Sequence, residues 1–248
     1  MSGSEFRLPG RRCVDFHTHI LPGVDDGSRS VEESLQMIRA LKGDCVEAVV
    51  LTPHFYAQID NPEKFIERRN HAFVTLCEAC AREEDISSVK LIAGAEIEYF
   101  DGLACMADYP ELKLGESNCM LIEMPPQVWT SHMVEELLEL NCRSGCRVVI
   151  AHVERYLFEQ KREVINELLS NGIVMQSNAE FFIEKRTSGK ALRLFKKGFI
   201  HLLGSDAHGT VGRAPNIGAA CDIIEKRFGE DAVDFIMDNA RSLLALEH

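Results

Sequence analysis

The stretch CVDFHTHILPGVDDGS, residues 13–28, is a short, mainly apolar run that leads into two histidines and then into an acidic loop. Its first part, residues 13–16, is predicted to be a strand, because short apolar runs with little alternation are typical of strands covered on both faces. His17 and His19 follow at positions i and i+2, and side chains with that spacing at an extended strand end share a face. Both imidazoles can therefore reach one metal ion.

The loop after these histidines has a composition that can turn a carboxylate back toward them. Pro22, Gly23 and Gly27 surround the adjacent acids Asp25 and Asp26, and proline and glycine favour tight turns. Asp26 is the predicted metal ligand, and Asp25 is the alternative. The first strand and its loop thus offer two nitrogen ligands and one oxygen ligand.

The pattern of a short apolar run followed by a longer amphipathic segment recurs along the chain. Candidate strands lie at residues 13–16, 48–52, 89–97, 119–124, 147–151, 173–177 and 200–204. Candidate helices lie at residues 30–41, 62–84, 130–141, 158–169, 188–196, 217–228 and 232–243. Strand–helix alternation repeated about seven times predicts an α/β fold with a parallel sheet and right-handed crossovers.

Capping signals support several of these boundaries. Ser30 with Glu33 three residues later is a capping-box arrangement, and Pro62 suits the first turn of a helix. Gly172 and Gly198 are stop signals before the sixth and seventh strands.

Metal-type side chains fall at the ends of nearly all the predicted strands. Histidine nitrogens and carboxylate oxygens in these places build the metal site of a βα-barrel, whereas an open sheet concentrates such residues at one switch point. Each residue alone has an ordinary explanation, such as a helix cap or a packed core histidine. Together they predict a barrel with a multinuclear hydrolytic centre. The predicted ligands are His17, His19, Asp26, His54, Glu96, Glu123, His152, Asp206 and His208.

Two arginines closely follow predicted ligands. Arg155 lies three residues after His152, and Arg213 lies five residues after His208. A guanidinium beside metal ions suits bidentate binding of phosphate, and the alternative is a surface salt bridge. We predict that both arginines bind phosphate oxygens. His54 or His208, if not fully committed to a metal, is expected to assist the leaving oxygen.

Composition sets limits on the class of protein. The chain has 248 residues, of which 46% are hydrophobic, and a formal net charge of −12. This length suits one α/β barrel, so residues 13–245 are predicted to be a single domain, and the negative charge argues against a nucleic-acid partner. Residues 1–12 and 246–248 resemble cloning and tag remnants or flexible ends. No apolar run approaches the roughly 18 residues of a membrane span and no signal peptide is recognisable, so a cytoplasmic protein without membrane insertion is expected.

The nine scattered cysteines are expected to be reduced thiols. Cys221 and Arg227 have the five-residue separation of a cysteine phosphatase loop. The segment between them lacks glycine, carries two acids and has a helical pattern, so it cannot form an anion-binding nest. Cys77 and Cys80 lie in a helical pattern without a second cysteine pair and are expected to be structural.

Six motifs resemble those of the PHP superfamily, which is named for polymerases and histidinol phosphatases. They are DFHTHILPGVDDGSRS, LTPHF, GAEIEYF, LIEMP, IAHVERY and GSDAHGTVGRAP, and they span residues 15–215 in order. The segment HTHILPGVDDG is specific to one branch, the manganese-dependent protein-tyrosine phosphatases of bacterial capsule and exopolysaccharide clusters. The resemblance implies a distorted TIM-like (β/α)7 barrel of the PHP type with three divalent metal ions, which are manganese or else iron or zinc.

By this resemblance, the predicted ligands divide among three ions, and Glu96 bridges the first two. The phosphate is bound by Arg155 and Arg213. A metal-activated hydroxide attacks the phosphorus in line. Phe55 stands where similar enzymes commonly carry a second histidine, which removes no predicted ligand. The ligand sets of the first, second and third ion are, respectively, His17, His19, Glu96 and Asp206; Glu96, Glu123 and His152; and Asp26, His54 and His208.

The resemblance also implies a substrate, the phosphotyrosine tail of a bacterial tyrosine kinase that controls polysaccharide assembly. A small-molecule phosphatase acting on histidinol phosphate or a nucleotide would use the same metals. A metal-dependent amidohydrolase would often use a bridging carboxylated lysine, and no lysine ends a predicted strand. A non-catalytic scaffold is disfavoured because no predicted ligand is missing. Aromatic residues of the expected rim suggest the phosphotyrosine interpretation, namely Phe55, Tyr56, Tyr99, Phe100 and Trp129.

Overall fold

Strands alternate with helices throughout residues 12–246, the part of the chain that the structure, a computed structural model, describes. A strand occurs at each of the predicted positions. The strands are β1 (Cys13–Thr18), β2 (Val46–Leu51), β3 (His54–Phe55), β4 (Lys90–Ala93), β5 (Glu96–Glu98), β6 (Cys119–Glu123), β7 (Arg147–Ile150), β8 (Val174–Asn178) and β9 (Leu202–Gly204). The helices are α1 (Val31–Gly43), α2 (Pro62–Cys80), α3 (Ser131–Cys142), α4 (Arg162–Ser170), α5 (Glu180–Ile183), α6 (Ser188–Lys196), α7 (Ile217–Phe228) and α8 (Glu230–Leu243).

The described strands curl into a barrel in which all pairings are parallel. β1 pairs with β2 and β2 with β4, while β3 pairs with β5 and the order continues through β6, β7 and β8 to β9. The His19 N–H donates to Ala207 O at 2.9 Å, and Thr18 forms a parallel bridge with Ala207. The segment after β9 therefore returns to β1, and the predicted parallel α/β barrel is confirmed.

The barrel is distorted where the predicted third strand, residues 89–97, breaks at Gly94. A side-chain carbon at Gly94 would lie 2.5 Å from Leu114 Cδ2. β4, before the break, pairs with β2, whereas β5, after it, pairs with both β3 and β6. The Gly115 N–H donates to Ala93 O at 2.7 Å, so this loop occupies the edge of β4 that faces β6. The prediction of one continuous strand was wrong because a loop competes for that edge.

The first helix forms only one of the two hydrogen bonds of the predicted capping box. Ser30 Oγ accepts the Glu33 N–H at 3.2 Å, which is the first half of a capping box. The Glu33 carboxylate accepts the Arg29 N–H at 2.9 Å instead of that of Ser30. Pro62 opens α2 as predicted, with Asn61 as the capping residue.

The predicted helix at residues 158–169 begins later, at Arg162, because a glutamine before it is held in the core. Gln160 is buried; its side chain accepts the Trp129 N–H at 2.9 Å and donates to Gln127 O at 2.8 Å. These bonds keep the preceding segment in turns. α2 also ends earlier than predicted, and the short α5 was not predicted.

Apolar stripes of the helices cover the outside of the barrel. α1 buries Met37, Ile38 and Leu41 completely, the spacing of one helical face. Burial of each such side chain contributes about 1.5–3 kcal/mol. No helix among residues 12–246 combines the length and the apolar character that crossing a bilayer requires. The carboxyl ends of the strands, by contrast, carry polar side chains, and the candidate site lies there.

Candidate metal centre

His17 and His19, at the end of β1, are fully buried and point at the same place. Their Nε2 atoms are 3.1 Å apart. His17 Nδ1 donates to Gln176 Oε1 at 3.2 Å, and His19 Nδ1 donates to Asp25 Oδ2 at 2.6 Å, because these oxygens can only accept. With both Nδ1 atoms protonated, the two facing Nε2 atoms must share a proton or bind a metal ion, since two bare lone pairs at this distance would repel. The i, i+2 spacing therefore does bring two ligand nitrogens together.

Glu96, at the start of β5, is the carboxylate around which the imidazoles gather. Its Oε1 lies 2.8 Å from His152 Nε2, and its Oε2 lies 3.3 Å from the Nε2 atoms of His17 and His19. Although burial opposes ionisation, His17 and the other imidazoles hold the pKa of Glu96 well below its usual range. Oε2 nevertheless makes no hydrogen bond within the described chain, and neither does His54 Nδ1, 3.0 Å away. A divalent cation would satisfy both orphaned atoms, so this donor set fits a metal.

Asp206 reaches the same histidines from the segment after β9. Its backbone has a φ of 54°, in the left-handed region, and its N–H donates to His17 O at 2.8 Å. Oδ1 lies 3.6 Å from His17 Nε2 and 3.4 Å from His19 Nε2. Although burial opposes ionisation, these imidazoles hold the pKa of Asp206 well below its usual range. A strained backbone position thus aims a charged carboxylate at the histidine pair.

Glu123 and His152 form a second group with Glu96. Glu123 ends β6, and its Oε1 lies 3.3 Å from His152 Nε2 while its Oε2 lies 3.8 Å from His54 Nδ1. His152 follows β7 with a φ of 31°, and its Nδ1 lies 3.0 Å from the Tyr156 hydroxyl. Although burial opposes protonation, Glu123 and Glu96 raise the pKa of His152 to about 9. The surroundings therefore attract positive charge, and a bound metal would displace that proton.

Asp26, His54 and His208 form an outer group. Asp26 Oδ1 lies 3.6 Å from His54 Nε2 and 3.5 Å from His208 Nε2. His208 Nδ1 donates to Asp206 O at 2.9 Å, which turns its Nε2 toward Asp26. Burial and the neighbouring His19 lower the pKa of His208 to about 4. Its Nε2 therefore carries a lone pair at neutral pH.

Asp25, the alternative ligand in the first loop, has a different position from Asp26. Its Oδ2 accepts from His19 Nδ1 at 2.6 Å and from the His54 N–H at 3.0 Å, and its Oδ1 accepts the Gly27 N–H at 3.0 Å. Although burial opposes ionisation, His19 and these amides lower the pKa of Asp25 to about 2. Asp25 thus orients an imidazole from behind, as carboxylates commonly do around metal sites. The geometry favours Asp26 as the ligand.

The predicted ligands converge at the carboxyl ends of the strands in overlapping groups. Each group presents donor atoms within 4.8 Å of one another, which suits divalent metal ions. His19 and His54 each belong to two groups, although the resemblance assigned each of them to one ion. Which ion each residue binds stays a prediction. The groups are His17, His19 and Glu96; His54, Glu96 and Glu123; and His19, Asp26, His54 and His208.

Arg155 and Arg213 lie at the mouth of the centre. The Nη2 atoms of both contact Asp206 Oδ2, at 2.9 Å from Arg155 and 2.5 Å from Arg213. Arg155 Nη1 lies 3.2 Å from His152 Nε2, and Arg213 Nη1 lies 3.0 Å from His208 Nε2. The two side chains are 42% and 44% exposed, so an incoming anion can reach their donors.

Polar residues of β8 behind the ligands were not predicted. Gln176 Oε1 accepts the His152 N–H at 2.8 Å as well as His17 Nδ1. Asn178 Nδ2 donates to Asp206 Oδ2 at 2.8 Å. The signal was present, because the predicted sixth strand turns polar at its carboxyl end, where its neighbours carry ligands.

Asp15, within β1, ties the two ligand-bearing ends together. Its Oδ1 accepts the Ser205 N–H at 2.8 Å, next to Asp206. Its Oδ2 is buried and makes no hydrogen bond with any described residue. Burial raises the pKa of Asp15 to about 7.

The expected aromatic rim is mostly buried. Phe55, Trp129 and Tyr99 are 0%, 4% and 8% exposed, so the prediction that they line the entrance was wrong. Their rings fold inward and contribute to the core. Tyr56 remains partly exposed, and its ring stacks on His54 with centroids 5.2 Å apart and planes at 20°.

The cysteines with catalytic-type spacing have structural positions. Cys221 is fully buried in α7, and Arg227 lies on the same helix, so no phosphate-binding loop joins them. Cys77 and Cys80 lie in α2, and burial raises the pKa of Cys80 to about 11. A thiol with that pKa is protonated at neutral pH and is a poor nucleophile.

A further group of metal-type residues lies away from the centre. Asp101, His132 and Glu136 have donor atoms within 4.8 Å of one another. Glu136 already accepts the Tyr99 hydroxyl at 2.6 Å and the Gly102 N–H at 2.6 Å. Both of its oxygens are satisfied, which indicates a structural role.

Comparison with known proteins identifies the family of the chain. The family model for capsular polysaccharide synthesis, CpsB/CapC, matches residues 13–245. The chain belongs to the CpsB/CapC family. Among its relatives, the tyrosine-protein phosphatase CpsB of Streptococcus pneumoniae is 30% identical over 93% of this chain and 98% of its own length. The tyrosine-protein phosphatase YwqE of Bacillus subtilis is 28% identical over 93% of this chain and 91% of its own length.

Solved structures agree with this CpsB/CapC assignment. A structure from the work on YwqE and CpsB, described as unique metal-dependent tyrosine phosphatases, aligns with a TM-score of 0.81 and 26% identity over 95% of each chain. The phosphotriesterase homology protein of Escherichia coli aligns with a TM-score of 0.55 and 12% identity over 94% of this chain and 98% of its own. The second likeness concerns the barrel alone.

Proposed function

We propose that this CpsB/CapC chain is a metal-dependent protein-tyrosine phosphatase with one catalytic domain, residues 13–245. The observation that carries the proposal is the buried Glu96 carboxylate, whose Oε2 is orphaned among imidazoles beneath two exposed arginines. Metal-type donors under guanidinium groups match the charge of a phosphate ester. The names of the relatives that align over nearly the whole chain support the same activity.

We assign the ligands to three divalent ions in the proposed enzyme. Glu96 would be shared by the first two ions, because its Oε2 faces His19 and its Oε1 faces His152. The mixture of imidazole and carboxylate donors suits manganese, which we propose, and also accommodates iron or zinc. The assigned sets are His17, His19, Glu96 and Asp206; Glu96, Glu123 and His152; and Asp26, His54 and His208.

The arginines and the orienting residues have distinct roles in this proposal. Divalent ions held here would activate water as a nucleophile and neutralise phosphate charge. Arg155 and Arg213 turn from Asp206 to the phosphate oxygens and stabilise the charge that develops on them. Asp25 and Gln176 hold imidazoles in the tautomer that presents Nε2.

Proton supply to the leaving oxygen is least demanding for a phenol. The pKa of tyrosine is about 10, far below that of an aliphatic alcohol, so phenolate leaves more easily. His54 or His208 is the candidate to assist it only if it is not fully committed to a metal. Of the two, His54 is favoured, because His208, with its pKa lowered to about 4, has no proton to donate at neutral pH. A phosphotyrosine ester therefore needs little help from a general acid.

The proposed substrate is a phosphorylated tyrosine in a flexible protein segment, the tail of a bacterial tyrosine kinase of capsule synthesis. A flexible tail can enter a recessed site at modest affinity. The family description, capsular polysaccharide synthesis, supports this biological setting. We propose that the protein acts from the cytoplasm.

The test compares a phosphotyrosine peptide with histidinol phosphate and a nucleotide, each with manganese and with a chelator. The proposal expects hydrolysis that prefers the peptide and is lost with the chelator. Chelator-sensitive preference for a small phosphate would replace the tyrosine phosphatase with a metabolic phosphatase. Hydrolysis that persists in chelator would contradict the metal centre itself.

A further inference from the structure

A cavity of about 540 Å³ opens beside the outer group of the metal centre. Asp26 and His54 of that group form part of its lining, together with Val24, Tyr56 and Ile59. Its other lining residues are charged, namely Asp25, Asp60 and Arg68. The cavity and the metal centre therefore share two side chains. A molecule whose phosphate binds at the centre can extend its remaining atoms into this space.

Apolar and aromatic surface is concentrated on this side of the centre. The Tyr56 ring lies nearly parallel to the His54 ring, and it also lines the cavity. Ile59 follows within the same loop and is 84% exposed. Val211, which lies between His208 and Arg213 in sequence, is 89% exposed. Ile59 and Val211 are the two most exposed large apolar side chains in the described chain. A ligand that covers exposed apolar surface beside a polar site is bound more favourably, because that surface leaves water.

A second cavity, which shares Arg155 with the mouth of the centre, has less apolar surface. It measures about 260 Å³, and its lining includes Arg155 and three acids, Glu154, Glu180 and Glu184. Phe181 is also there but is only 9% exposed. Acids line both cavities, so the difference between them is the apolar surface. The second cavity offers an aromatic ring less of it than the cavity at Tyr56 and Ile59 does.

We propose that Tyr56, with Ile59, forms the subsite that packs against the aromatic ring of the phosphorylated tyrosine and makes the enzyme selective for aryl over alkyl phosphates. The inference rests on the proposed function and deepens it. Aromatic rings that pack in an offset or tilted arrangement gain free energy beyond the area that they bury. An alkyl phosphate lacks this contact, although its phosphate can bind the same metals and arginines.

The test measures binding of phenylphosphonate and of methylphosphonate to the manganese-loaded protein by titration calorimetry. Tyr56→Ala is expected to weaken phenylphosphonate binding by about tenfold and to leave methylphosphonate binding unchanged. Tyr56→Phe keeps the ring and should match the wild type with both ligands. Ile59→Ala, which keeps the Tyr56 ring, should weaken phenylphosphonate binding by about threefold.

Matched controls separate the subsite from the metal centre. Glu184→Gln changes the second cavity and should leave both affinities as they are. Manganese content is measured for every variant, because Tyr56 also covers His54. Equal weakening of both phosphonates in Tyr56→Ala, or unchanged phenylphosphonate binding in both Tyr56→Ala and Ile59→Ala, would overturn the inference.

A parallel assay of phosphotyrosine peptide hydrolysis separates failure of the proposed function from failure of the Tyr56 subsite alone. Failure of the proposed function appears as a wild-type protein without chelator-sensitive hydrolysis of the peptide. Failure of the inference alone appears as an active wild type whose ratio of phenylphosphonate to methylphosphonate affinity does not change in Tyr56→Ala.

Discussion

The proposed metal centre has an inner part and an outer part that are built differently. In the inner part, the His17, His19 and Glu96 side chains are fully buried. In the outer part, the Asp26 side chain is 69% exposed and His54 is 14% exposed. His17 and Glu96 lie on strands and His19 directly follows one, whereas Asp26 lies on a loop. The difference indicates that the barrel builds the inner sites before any substrate arrives, and that substrate enters from the outer side.

The inner donors are also held by more contacts from behind. Gln176 orients His17, and Asp25 orients His19. Such partners fix the direction of a ligand nitrogen and raise metal affinity. The outer Asp26 contacts only the two imidazoles of His54 and His208 among the ion pairs described. We therefore expect inner ions to bind tightly and the outer ion to exchange more readily.

Among the substitutions that test this comparison, loss of the Glu96 carboxylate should have the largest effect on metal content and turnover. Glu96→Gln removes the charge that joins the inner groups, so metal content should fall and kcat with a phosphotyrosine peptide should drop by more than the about 10²–10³-fold expected for one transition-state donor. Elemental analysis and turnover of the same sample measure both quantities. Glu135→Gln, on the exposed face of α3, is the control. A variant that retains all its metal and its activity would remove Glu96 from the centre.

Loss of a guanidinium should be the next largest effect. Arg155→Ala is expected to lower kcat/KM by about 10²–10³-fold because a charge-assisted contact to the phosphate is lost. Arg155→Lys should recover only part of this loss, since an ammonium cannot form the bidentate contact. Metal content should stay the same in both variants, and a parallel loss of metal would indicate that Arg155 supports the ligands instead.

Substitution in the outer group should affect one ion only. Asp26→Asn is expected to weaken the last-bound manganese by about 10–100-fold, the scale known for changes around bound metals. Added manganese should therefore restore turnover, and the tightly bound ions should remain after dialysis. Loss of every ion from this variant would mean that the inner and outer parts fold as one unit, against the comparison.

The smallest predicted effect lies outside the centre, on stability at acidic pH. His201 Nδ1 accepts the Met175 N–H at 3.0 Å, and burial lowers its pKa below 6.5. The unfolded chain then binds more protons than the folded chain below pH 6.5, so stability present above that pH is lost as pH falls toward the folded pKa. The slope from this residue cannot exceed about 1.4 kcal/mol per pH unit.

Urea unfolding between pH 5 and 7 tests this prediction, with roughly half-unit steps. His201→Gln should flatten the pH dependence, whereas His71→Gln, exposed in α2, should leave it unchanged. A slope that is the same in the wild type and in His201→Gln would show that the buried imidazole does not titrate in this range.

The sequence predicts the parts of the molecule whose physics is local. The apolar runs and the HxH spacing of β1 predict parallel strands and converging ligands, because both follow from backbone periodicity. The break at Gly94 was missed, since it depends on the loop at Leu114 and Gly115 competing for a strand edge. Burial of Trp129 was also missed, because it depends on contacts with residues far along the chain, such as Gln160, which accepts the Trp129 N–H.

Supporting residues were harder to find than ligands. Gln176 and Asn178 belong to common residue types, and only the tertiary fold places them behind His17 and Asp206. Asp25 and Asp26 are adjacent and chemically identical, so their separate positions depend on which way each side chain leaves the loop. The chemistry of a donor set is thus visible in sequence, but its orientation is not.

The most direct test of the central claim is a manganese titration of chelator-treated protein, with bound metal per chain and phosphotyrosine peptide turnover measured on the same samples. We predict no turnover without metal, and turnover that rises only after more than one ion has bound. Full turnover in the chelated protein, or after a single ion in both the wild type and Glu96→Gln, would contradict a multinuclear centre bridged by Glu96.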